Sequence, residues 1–156
     1  MTKEEKRRTG KPSIPRPEID LIAYRPRDNR LIVMEVKSFL DSPGVRVEHL
    51  QEEFDIATGG YKLFTCRLYR EIVLERLLNQ LKATGMLLTD PDIQLGLAAG
   101  RIYRNQTTEM SDLFKQRNWL LWPPEVIAEK LRAIALTGYA NDPFIMAAKV
   151  LRLSVP

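Results

Sequence analysis

Apolar positions along this chain follow two different periods. Leu21-Ile22-Ala23-Tyr24 and Leu31-Ile32-Val33-Met34 are short runs, separated by Arg25-Pro26-Arg27-Asp28-Asn29-Arg30. A polar set with Pro, Asp and Asn between two apolar runs predicts a hairpin, with strands over 19–25 and 31–38. Leu63, Phe64, Leu68, Ile72, Leu74, Leu77, Leu78 and Leu81 recur at helical spacing, and Gly85 follows. That spacing predicts one long helix over 61–84. Ile93 to Ala99 reads as a buried strand, with Gly96 and Gly100 permitting close backbone approach. Thr107 to Arg117 reads as a short helix and Trp119 to Trp122 as a short strand ended by Pro123-Pro124. Helices over 125–136 and 144–153 follow, the second after the cap-then-proline pair Asp142-Pro143. Phe39 to Gly44 is a loop in which Pro43 is placed to open a helix capped by Ser42. Val45 to Ile56 mixes both periods and leaves strand and helix open. The order of elements predicts an α/β layer with a mixed sheet.

Residues 1–17 are charged, then punctuated by Gly10, Pro12, Pro15 and Pro17, and read as a flexible basic arm; 18–156 read as one α/β domain. With 156 residues, 44% of them hydrophobic, one domain with a real core is expected. No apolar stretch approaches membrane-spanning length, and Thr2 to Arg8 lacks the apolar centre of a signal peptide, so a cytoplasmic protein is expected. The single cysteine, Cys66, rules out an internal disulfide and reads as a small buried hydrophobe. The lone His49 cannot build a histidine-based zinc site or a His-dependent triad. The net charge of +4 resides in residues 1–30, which hold nine Lys and Arg against five Asp and Glu. Such an excess suits a polyanionic partner, DNA or RNA.

The chemistry concentrates in the hairpin. In Met34-Glu35-Val36-Lys37 an apolar strand meets a Glu and a Lys at i and i+2, which share one face. If Tyr24 and Leu31 close the hairpin, Ile22 pairs with Val33, Asp20 with Glu35, and Glu18 with Lys37. Like charges directly opposite are unfavourable in a ladder. A hard divalent cation between the two carboxylates relieves that repulsion.

Glu18-Ile19-Asp20 and Glu35-Val36-Lys37, on a strand–turn–strand pair followed by a long helix and another strand, resemble the PD-(D/E)xK nuclease superfamily. By element order the resemblance covers roughly residues 12–135; by motif, only about 25 residues. It implies a restriction-endonuclease-like fold, a mixed central sheet flanked by helices. It implies Mg²⁺ (with Mn²⁺ as substitute) held by Asp20, Glu35 and the backbone carbonyl of Val36, with Lys37 as the catalytic cation. The implied substrate is nucleic acid, DNA ahead of RNA, and small nucleases of this fold often act as homodimers. The family usually carries a helix before the first motif strand, often with a further Glu ligand. Here about sixteen residues precede that strand, and Glu4 or Glu5 on a helical turn is the available candidate.

Other residues are weighed beside these. Glu18 reads as a neighbour of the metal or a solvent-facing residue, Gln51 falls where some relatives place a glutamine near the metal, and Ser38 and Asp41 follow Lys37 as substrate contacts or loop caps. Phe64, Tyr69, Trp119 and Trp122 read as core. Tyr103, between Arg101 and Arg104, reads as half-buried or as a phosphate contact. Arg67 and Arg70 read as a solvated helix face. The principal alternative to an endonuclease is a catalytically lapsed nucleic-acid-binding or assembly module on the same fold.

Overall fold

In the computed structural model, residues 1–14, 17–138 and 140–153 are described. They form a small α/β domain with one four-stranded mixed sheet, its strands side by side in chain order, and seven α-helices. β1 (Leu21–Arg25) and β2 (Arg30–Lys37) form the expected antiparallel hairpin, with Ile22 opposite Val33 and Tyr24 opposite Leu31. The turn is a 3-10 segment, Pro26–Asp28, followed by Asn29 in the left-handed region at φ 47°. Asparagine tolerates that conformation. The Asn29 amide group donates to Thr89 Oγ1 and to the Asp90 carbonyl, which ties the hairpin turn to the entry of the next strand.

β3 (Asp92–Ala99) lies parallel to β2, pairing Glu35 with Leu97 and Lys37 with Ala99. β4 (Leu120–Trp122) lies parallel to β3 on its far side. Leu31, Val33, Leu95, Leu97 and Ala99 share one face of the sheet and are buried against Phe64, Leu81, Met110 and Phe114. Those partners come from α3 (Lys62–Thr65), α4 (Arg67–Ala83) and α5 (Thr107–Gln116). On the opposite face α6 (Pro124–Ala135) sets Lys130 over the Trp122 ring, and α7 (Pro143–Leu153) packs on α6.

Three expectations are corrected. The helix expected over 61–84 breaks at Cys66, which is extended (φ −128°, ψ 107°) and fully buried with Ile14, Ala57, Tyr69 and Val73. Arg70 supports the break, donating from Nη1 to the carbonyls of Leu63 and Phe64 that the interrupted ladder leaves open. The break coincides with full burial of the Cys66 side chain. Second, Pro43 opens no helix. The Ser42 amide turns back to the Phe39 carbonyl, Gly44 takes φ 101°, and Val45 bridges Ile102 in parallel. The mixed segment after it resolves into that bridge and a single turn, α2 (Glu48–Gln51).

Third, the segment read as an arm carries α1 (Lys3–Arg8). Thr2 and Glu5 form a reciprocal capping box, Glu5 also pairs with Arg76 of α4 at 2.9 Å, and Thr9 and Ile14 are buried. The cap, the ion pair and two buried side chains hold this segment on the domain. Pro15 and Arg16 lie outside the described residues.

Candidate metal and phosphate site

The site begins with the alternation of β2. Leu31 and Val33 point into the core, so Glu35 and Lys37 follow them on the same face where the strand leaves the core. Lys37 Nζ lies 2.6 Å from Glu35 Oε1, with the Glu35 side chain 15% exposed and the Lys37 side chain 25% exposed. Asp20 lies one residue before β1, just beyond the last hairpin pair, Leu21 with Met34. Its Oδ2 accepts the Val36 amide at 2.7 Å. Among the described residues its Oδ1 takes no hydrogen bond. Asp20, Glu35 and Lys37 line one pocket at this end of the hairpin.

These side chains open into a cavity of about 210 Å³. Its lining includes Glu18, Asp20, Glu35, Lys37, Lys62 and Tyr69. Among the described lining residues, three carboxyl groups therefore face two ammonium groups. Burial pushes the Glu35 carboxyl above its ordinary value of 4.5, the bond to Lys37 opposes this, and the Asp20 charge adds to the rise. Tyr61 sits below Lys37, its ring centroid 5.8 Å from Nζ. Its phenol is pushed up to about 12, first by burial and then by the charge of Glu35. The Tyr69 phenol is raised as well, by burial first and then by Glu35. Both phenols stay protonated through the physiological range.

Lys62, Tyr61 and Tyr69 were not singled out from the sequence as site residues. Tyr61 and Lys62 immediately follow Gly59-Gly60, so they open the first helical turn after a chain break and face the end of β2. A cation directly after the glycine pair is the signal available in the sequence.

Several expected residues lie elsewhere. Gln51, on α2, donates to Glu109 Oε1 at 3.4 Å and does not line the pocket. Ser38 is exposed and stands outside the lining, with its carbonyl closely packed against Gly100. Asp41 is exposed on the following loop. Glu5 is spent on Thr2 and Arg76, and Glu4 pairs with Arg7, so neither reaches the pocket as an additional ligand. Cys66 is a buried small side chain, as read from the sequence, and the aromatic trio Phe64, Phe114 and Trp119 is core. Arg67 pairs with Glu71 and Arg70 with Glu53.

The donor set fits a hard divalent cation of modest demand. Asp20 and Glu35 offer carboxylate oxygens, and Mg²⁺ is commonly held by one or two carboxylates, with water and substrate phosphate completing its shell. Glu18 lines the same pocket, yet no group of three or more His, Cys, Asp or Glu converges as a metal cluster among the described residues. Lys37 and Lys62 are placed to meet an anion. The arrangement can therefore gather a cation and a phosphate over the end of β2. Comparisons with protein-family models, curated proteins and solved structures return no match for this chain.

Proposed function

We propose that the protein is a divalent-metal-dependent endonuclease that hydrolyses phosphodiester bonds in DNA, built on a restriction-endonuclease-like core. The observation that carries this reading is the half-buried Glu35–Lys37 pair with Asp20 tied to Val36 beside it, in one pocket that Glu18 and Lys62 also line. Asp20 and Glu35 would hold Mg²⁺, with the Val36 carbonyl as a further oxygen ligand. The bound cation would neutralise phosphate charge and lower the pKa of a coordinated water.

The chain's own groups divide the remaining work. Lys37 Nζ orients the attacking water and stabilises charge developing on the phosphoryl oxygens. Its position is fixed by Glu35 on one side and the Tyr61 ring below. Lys62 supplies a second positive charge to the phosphate from the other wall. Tyr69, protonated and facing the pocket, is a hydrogen-bond donor to a bridging or leaving oxygen.

The test is cleavage of supercoiled plasmid and of single-stranded DNA in Mg²⁺ or Mn²⁺ against EDTA, with wild type and Lys37→Ala side by side. Metal-dependent nicking by wild type and its loss in Lys37→Ala is the expected result. The lack of a three-ligand acidic cluster among the described residues favours a second reading, a nucleic-acid-binding module of the same architecture that no longer cuts. No cleavage by either protein, with no calorimetric heat on adding Mn²⁺, would leave that second reading in place.

A further inference from the structure

The two loops that leave the carboxyl ends of β2 and β3 are stitched together. The Gly100 amide donates to the Lys37 carbonyl at 2.8 Å, the Val45 amide to Arg101, and the Tyr103 amide to Val45. Arg101 Nη1 donates to the carbonyls of Leu40 and Ser42, both at 3.1 Å. Gly44 packs so tightly that an added Cβ would meet the Ile102 carbonyl carbon at 2.9 Å. The result is a rigid ledge that continues the sheet directly beyond Lys37.

On this ledge Val45 and Ile102 turn into the core. The next residue on each loop, Arg46 and Tyr103, stays partly exposed. Arg46 Cζ lies 4.0 Å from the Tyr103 ring centroid, and Arg104 Cζ lies 4.9 Å from the same ring. Arg104 holds φ 46°, a left-handed conformation that non-glycine residues adopt at a cost in strain. Among the described residues no carboxylate pairs with Arg104. Arg46 meets Glu48 only at 3.5 Å and in partial exposure, a pair of small energetic weight.

We propose that Arg46, Tyr103 and Arg104 form a second contact for nucleic acid, separate from the cleavage pocket, in which two ring-braced guanidinium groups hold backbone phosphates. This rests on the nuclease reading for its substrate, but not on the site being able to cut. Guanidinium presents a planar fork that matches phosphate oxygens, and stacking on tyrosine fixes that fork at a lower entropic cost. The parallel β2–β3 pairing sets the contact at the same end of the sheet as Glu35 and Lys37, so one strand of substrate can be gripped there while the pocket engages it nearby.

The experiment is equilibrium binding of a fluorescein-labelled DNA duplex to the full chain in EDTA, repeated across a salt series. Against wild type, the double variant Arg46→Gln/Arg104→Gln should flatten the slope of log K against log salt by roughly 1.8, about 0.9 for each phosphate that is no longer neutralised, and weaken binding about tenfold. Tyr103→Leu keeps both charges, so it should weaken binding severalfold and leave the slope in place. Thermal melts establish that each variant is folded. A folded double variant with wild-type slope and affinity would overturn the proposal, as would a wild type that does not bind DNA at low salt. If the slope changes as expected but wild type fails to cleave plasmid in Mg²⁺ or Mn²⁺, the contact stands and the nuclease reading falls.

Discussion

At Glu35, burial and charge act in opposite directions. Desolvation and Asp20 favour the protonated acid, while the bond to Lys37 favours the carboxylate. The balance lies above the ordinary value of 4.5, so folded Glu35 takes up a proton more readily than unfolded Glu35. Its contribution to stability is therefore present below that ordinary value and lost as pH rises through the folded pKa. A bound cation competes with the same proton. On the proposed metal site, Mn²⁺ affinity, measured by calorimetry between pH 7.5 and 4.5, should fall progressively as the pH is lowered, starting at a higher pH than an unshifted glutamate would set. Constant affinity across that interval would remove Glu35 from the ligand set. Asp20, Glu35 and Lys37 were legible in sequence because a two-residue period and one short turn fix their relation. Lys62 and Tyr69 were not, because they reach the pocket from either side of a helix break at Cys66 that the helical period does not signal.

Among the elements, β2 is the one on which the site depends, and its carboxyl end is held by contacts of very small tolerance. A Cβ on Gly100 would stand 2.3 Å from the Ser38 carbonyl oxygen, a backbone atom one residue from Lys37. Gly100→Ala must therefore move the ledge or the strand end. It should cost about 1–3 kcal/mol in denaturant unfolding, as other overpacked sites do, and, on the proposed nuclease reading, lower cleavage further than stability alone explains. Gly60→Ala, where an added Cβ meets nothing within 4 Å, is the matched control and should unfold like wild type. An unchanged midpoint in Gly100→Ala would show that the close approach is not maintained in solution. The strands and the later helices were readable from period and punctuation. The loop from Phe39 to Val47 was not, since its conformation is set by Arg101, Ile102 and Tyr103, far along the chain.

For the molecule as a whole, stability and surface are sharply divided. Phe114 is buried within touching distance of Phe64 and Trp119, at ring separations of 5.7 and 5.5 Å. Phe144, on α7, is 82% exposed. Phe114→Ala should lose about 3–5 kcal/mol in chemical denaturation, whereas Phe144→Ala should fall within about 0.5 kcal/mol of wild type. Equal losses would contradict a core centred on Phe114. Among the described residues no helix is long and apolar enough to cross a membrane.

The parallel pairing of β2 with β3 also governs how the protein comes into being. β1 and β2 are neighbours in sequence, but Lys37 meets Ala99 only after the loops, α2, α3 and α4 have intervened. An isolated hairpin is marginal in water, and distant strand pairing is the slow step in forming a mixed sheet. During synthesis the amino-terminal part leaves the ribosome first. A nascent chain therefore displays Asp20, Glu35 and Lys37 well before it can fix them against a floor, and whatever these residues do begins only when β3 has arrived.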